Sequence, residues 1–319
     1  MNTFPWLLKR EYWEHRGGFF LAPLWTGITL LAFTLLGLLA GEVSLNVRMS
    51  QGTVTINGSP VSIGSLFTHT TPEQIQQANH MISALLLGID ALFGMVIGFV
   101  LFFYLLGALY DDRRDRSVLF WKSMPVSDSA TVLSKALTAI VMLPVLAAIL
   151  SLATWLIMQI LFSVVVLFHG GNPLTLIWTQ SSLFTAPLLL AAVLPIVMLW
   201  MLPTAGWLLL CSAASRSTPF LWAVLIPILL GILNGWIGLL GLPHLPTDIM
   251  WSDIVKRMLL GTFGSLDVIN AMQAAQRAGG GFGASLLAAY GQPTTWVAGI
   301  GGVAMTAGAT ILRRRSGDL

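Results

Sequence analysis

Tyr110-Asp-Asp-Arg-Arg-Asp-Arg-Ser117, continuing through Trp121-Lys-Ser-Met-Pro125 to Ser134-Lys135, decides how the chain is read. It is a dense island of charge in a sequence with only 9% charged residues. Apolar segments long enough to cross a bilayer flank it on both sides. Charge at this density is excluded from hydrocarbon, so the stretch is expected to be an aqueous loop between two membrane spans. Its acids and bases alternate through Asp111, Asp112, Arg113, Arg114, Asp115 and Arg116. A lipid anchor would be purely basic. Val118, Leu119, Phe120 and Trp121 then sit between charges, the pattern of a protein-docking surface. Pro125 breaks the element, and Ser127 or Asp128 is placed to cap a helix entering the next span.

The rest of the chain agrees. Of its 319 residues 56% are hydrophobic, and the mean hydropathy is +0.82. Soluble domains carry about 25% charged residues, so this chain cannot cover a water-facing surface. The expected fold class is all-α, a polytopic membrane protein with six transmembrane helices. They are read at about Phe19–Ala40, Met81–Ala108, Ala136–Phe168, Leu183–Cys211, Phe220–Leu242 and Thr295–Leu312, since a span needs roughly 20 apolar residues. Pro144 predicts a kink in the third, and Pro187, Pro195 and Pro203 fall in the fourth. Twelve Lys and Arg lie in 1–18, 110–135, 213–219 and 313–319, against four in 41–80, 169–182 and 243–294. That asymmetry puts both termini in the cytoplasm and makes 41–80 and 243–294 external loops.

Residues 1–18 are expected to form an N-terminal interfacial helix, ahead of a single six-helix domain at 19–319. Phe4, Leu8 and Tyr12 make one stripe, and Trp6, Trp13, Lys9, Arg10 and Arg16 suit a membrane surface. In 41–80, Val54-Thr-Ile56 before Asn57-Gly58 predicts a small hairpin, and Thr71-Pro-Glu-Gln a helix start. Residues 247–277 read as short helices at, or dipping into, the outer leaflet. Asp90 stands alone inside the second span and is expected to face a pathway or to hydrogen-bond a neighbouring helix.

No phosphate loop, His-Glu-x-x-His pair or nucleophile elbow is present. No enzyme activity, metal site or nucleic-acid partner is expected, and Cys211 reads as apolar filler.

Six spans, an amphipathic first helix and an acidic-basic loop between spans two and three resemble the permease subunits of type-2 ABC exporters, the ABC-2 family. The residues that carry the resemblance are Lys9, Arg10 and Glu11, then Asp112–Arg116, Ser117, Val118–Trp121, Met124-Pro-Val-Ser127 and Lys135. Met124 departs from the small residue usual before that proline. The resemblance implies that loop 110–135 forms a coupling helix docked in an ABC-type ATPase through Asp112, Arg113, Arg114, Asp115, Arg116, Phe120, Trp121 and Lys122. It implies no cofactor in this chain, with ATP and Mg held by the partner subunit. It also implies a second permease copy or a paralogue, placement in the cell inner membrane, and alternating access. The alternative is a stand-alone ion- or proton-coupled secondary transporter, whose signature would be several intramembrane acids and inverted repeats.

Overall fold

The computed structural model describes residues 4–50, 55–56, 59–60, 72–115, 126–178, 185–264, 268, 286–287 and 290–315. Among them the chain is almost entirely helical. The exception is a two-residue antiparallel pair, β1 (Thr55–Ile56) with β2 (Ser59–Pro60), at the position the Asn-Gly dipeptide predicts for a hairpin. The helices are α1 (Phe4–Glu14), α2 (Ala22–Ser50), α3 (Pro72–Gly107), α4 (Tyr110–Arg114), α5 (Asp128–Leu137), α6 (Leu143–Phe168), α7 (Thr185–Ala214), α8 (Pro219–Leu239), α9 (Lys256–Leu260) and α10 (Pro293–Arg315). Six segments are long and apolar enough to cross a membrane: Gly17–Gly41, Gly88–Arg114, Asp128–Phe168, Leu190–Ala214, Pro219–Leu239 and Pro293–Arg315. Each contains most of one expected span. α2 runs on to Ser50, well into the stretch expected to be an external loop.

Prolines shape the long helices. A proline has no N–H for the carbonyl four residues back, and its ring clashes with that carbonyl. Pro23 and Pro144 each lie two residues beyond a wider π-helical turn, Gly17–Leu21 and Thr138–Met142 respectively. The wider turn takes up the mismatch, so helical structure is unbroken from Asp128 to Phe168. Pro195 and Pro203 lie within α7, which continues through both. Thr218, at the α7–α8 turn, has φ 45°, a strained left-handed conformation for a β-branched residue.

The chain forms two compact units. One comprises Met1–Ala22, Gly94–Ala147 and Ala192–Leu319; the other comprises Pro23–Phe93 and Ala148–Ala191. The first has a core of Phe19, Leu101, Leu105, Leu109, Leu143, Ile196, Met201, Leu208 and Leu209, all essentially sealed. Within it α7 and α10 meet at glycines. A Cβ on Gly302 would lie 2.7 Å from the nitrogen of Pro203, and one on Gly206 would strike the backbone of Gly302. Small residues here let two backbones approach as in other membrane helix pairs.

Also in the first unit, the chain turns back after α8. Asn234 closes the turn with two hydrogen bonds to the backbone of Leu245, at 2.9 and 3.0 Å. The segment from Ile249 to Gly264 then runs back along α8 and α7. Trp251 packs on Gly231, Gly261 on Thr204, and Phe263 on Gly98. Thr204 is eight residues from Ser212, about 12 Å along a helix. The segment therefore lies beside the middle of the apolar helices, not beyond their ends. Its one buried charge, Arg257, stacks on Trp200 at 4.3 Å and donates to the Thr294 carbonyl at 3.0 Å. It also pairs with Asp253 at 3.5 Å. The segment is helical almost throughout, as Ile249–Val255, Lys256–Leu260 and Gly261–Phe263, so its backbone supplies most of its own hydrogen bonds at that depth.

The second unit is smaller. Ile89, Phe93 and Met158 are buried against Leu30, Leu31, Leu150 and Phe162.

Burial differs between the apolar segments. The second, third and fourth bury 50%, 50% and 56% of their most apolar stretch, but the first, fifth and sixth only 17%, 17% and 22%. The latter three therefore present wide apolar faces outward, as a membrane solvent demands.

Candidate functional site

The charged island opens into a buried ionic network in the first unit. Asp112, in α4, turns its carboxylate inward. It meets Lys135 of α5 at 3.6 Å and Arg313 of α10 at 3.0 Å. Lys135 also meets Glu11 of α1 at 3.3 Å, and Arg313 meets Asp128, the first residue of α5, at 3.2 Å. Glu11, Lys135 and Arg313 are only 1%, 2% and 5% exposed. The Tyr104 hydroxyl donates to Glu11 at 2.9 Å. Three carboxylates and two cations are thus joined across four helices.

Local sequence explains how each member is delivered. Ser127 caps α5, its hydroxyl accepting from the Ala130 amide at 3.2 Å, and this sets Asp128 in the first turn. Lys135 falls two turns later on the buried face with Thr131, Val132 and Ser134. Leu7 and Glu11, four residues apart, are the buried positions of α1, and His15 follows at the same spacing just beyond its end. His15 meets Tyr104 edge-on at 4.9 Å. Phe4, Leu8 and Tyr12, the stripe read from the sequence, are half-buried, while Trp6 and Trp13 are exposed.

A second lock ties the loop to the end of α7. The Ser212 hydroxyl accepts from the amides of Leu109 and Tyr110 at 3.0 and 2.9 Å, satisfying donors at the start of α4. In return the Arg113 guanidinium donates to the carbonyls of Ser212 and Ser215, the latter at 2.9 Å. A cation on the terminal carbonyls of a helix is favoured by their partial negative charge.

The residues expected to dock a partner therefore separate. Asp112 and Arg113 are engaged inside the protein. Arg114 and Asp115 are exposed. Arg116, Phe120, Trp121 and Lys122 lie outside the described residues. In the expected interfacial helix, Glu11 is the buried member, Arg10 pairs with Glu14 at 3.1 Å, and Lys9 lies 5.2 Å from the Trp6 ring. Asp90, in the second unit, is partly buried near Ser151 of α6. Sequence reasoning missed Arg313, Asp128 and Ser212 as members of the site. Arg313 looks like one of three ordinary terminal arginines, and only packing singles it out.

Among the described residues no cluster of His, Cys, Asp and Glu suits a metal ion. The network consists of charges that pair with one another inside the protein. It is suited to holding a loop, an N-terminal helix and a terminal helix in fixed register.

The fold and site define a multi-pass α-helical membrane protein whose most densely charged stretch is rooted in a buried ionic network. Comparison with known protein families, with curated proteins and with solved structures returned no match.

Proposed function

We propose that this chain is the permease subunit of an ATP-driven ABC-2 exporter in the inner membrane, its termini cytoplasmic. In this reading it works with a separate ABC-type ATPase and a second permease. The observation that carries the reading is Asp112. It stands at the mouth of the charged loop and bridges Lys135 and Arg313. A push on the loop then reaches α5 with its continuation α6, and also α10, through charges that cannot separate cheaply in a buried setting. Nucleotide-driven movement of the ATPases would shift the spans between two arrangements in this way. The charge asymmetry of the loops, the aromatic pair Phe120 and Trp121, and the lack of a phosphate loop in the sequence support the same reading. ATP and its metal would belong to the partner. Asp90 would face the route taken by substrate.

Co-purification tests the proposal. A tagged full-length chain, isolated from its own cells in mild detergent, should bring an ABC-type ATPase with it. Phe120→Ala combined with Trp121→Ala should lower that recovery at least tenfold, since anchor aromatics carry about 2 kcal/mol or more each. A chain that purifies alone, or a double variant with full recovery, would refute the assignment.

A further inference from the structure

α6 carries a file of polar side chains inside an apolar run. Ser151, Trp155, Gln159 and Ser163 recur every four residues and so follow one another along one side of the helix. All four are buried, Gln159 to 2% exposure. The end members are satisfied. Ser151 donates to the Ala148 carbonyl at 3.1 Å. Ser163 donates to the Gln159 carbonyl at 2.7 Å and accepts from the Trp178 indole at 2.9 Å. The middle members are not. Among the described residues, neither the indole N–H of Trp155 nor either polar atom of the Gln159 side chain meets a partner. Leu156, Ile157, Ile160 and Val164, on the other faces of the same turns, are exposed and apolar.

Leaving such groups bare costs about 1–3 kcal/mol each, and lipid around the helix offers no relief. A leucine at 159 would avoid that cost, so the amide is expected to serve something. Its hydrogen-bonding inventory says what. Gln159 offers two N–H donors and one carbonyl, and Trp155 offers one more donor a turn away. Three donors and one acceptor, with no charge among them, match an oxygen that accepts hydrogen bonds and donates one. They match neither an ion of either sign nor an apolar guest. Asp90 adds a carboxyl near Ser151, at one end of the file.

We propose that Trp155 and Gln159 form a binding site for a neutral hydroxyl-type oxygen, that of an alcohol headgroup or of water, held against α6 within the membrane. The proposal does not depend on the exporter reading, and its test involves no ATPase.

Hydroxyl-radical footprinting of the unmutated full-length protein in lipid nanodiscs is the direct measurement. In lipid without free hydroxyl groups the occupant is water, and radiolysis of a bound water oxidises the side chain beside it despite its burial. Trp207 is the control, because it is buried too, though slightly more exposed than Trp155, and its indole donates to the Ala223 carbonyl at 2.9 Å. Trp155 should be oxidised at least fivefold faster than Trp207, and Gln159→Leu should remove the difference. Added n-octanol separates the two sources. Slower oxidation of Trp155 identifies an alcohol-binding site, and unchanged oxidation identifies bound water. Oxidation of Trp155 no faster than that of Trp207 overturns the proposal, as does fast oxidation that survives Gln159→Leu.

Discussion

Replacing Lys135 with methionine removes the link between Glu11 and Asp112 while keeping the length of the side chain. Lys135 is nearly sealed, so its ammonium is offset by these two carboxylates rather than by water. Without it the network passes from three carboxylates and two cations to three carboxylates and one. Asp112 keeps Arg313, but Glu11 keeps only the Tyr104 hydroxyl. Removing one partner of a buried pair costs about 3–5 kcal/mol, because the other charge stays buried. Glu11→Gln in the same chain should recover most of that loss. The glutamine carbonyl still accepts from Tyr104, and the buried charge is gone. The coupling between the two sites should therefore be about 2–3 kcal/mol, as expected for groups in direct contact. Equilibrium unfolding in mixed micelles, with SDS as denaturant, measures each corner of this cycle. A cost below about 1 kcal/mol for Lys135→Met alone would show that the network is not a buried one. A double variant no more stable than the single would show that Glu11 and Lys135 do not depend on each other.

Two further outcomes follow from the packing and the charge pattern. Gly302→Ala should destabilise by about 1–3 kcal/mol in the same assay, since its Cβ would press on the backbone of Leu202 and Pro203, neither of which can yield as a side chain would; Gly301→Ala, in more open surroundings, should cost less than half as much. In a Cys211→Ala background, Ser59→Cys should react with an impermeant maleimide on intact cells and Ser217→Cys only after permeabilisation, and the reverse pattern would invert the proposed orientation.

The sequence alone determined the solvent. Long apolar runs with 9% charge overall can be stable only in lipid, and a backbone in lipid must satisfy its own hydrogen bonds. Six long helices followed from length and composition, and Ser127 and Pro72 marked two helix starts because capping and proline geometry act within a few residues. The importance of the charged island was equally plain, but not which way its charges turn. Asp112 and Asp115 are the same residue type three positions apart, and only the arrival of Lys135 and Arg313 from distant parts of the chain makes burial of Asp112 tolerable. Glu11 is the same case. By pattern it belongs on a wet face, and it is buried because Tyr104 and Lys135 meet it there. The inward return of Ile249–Gly264, the α7–α10 crossing at Gly206 and Gly302, and the bare amide of Gln159 likewise depend on neighbours far away in sequence. Hydropathy and capping are properties of a few adjacent residues, whereas the desolvation of a charge or the room for a Cβ is set by whatever the folded chain brings alongside.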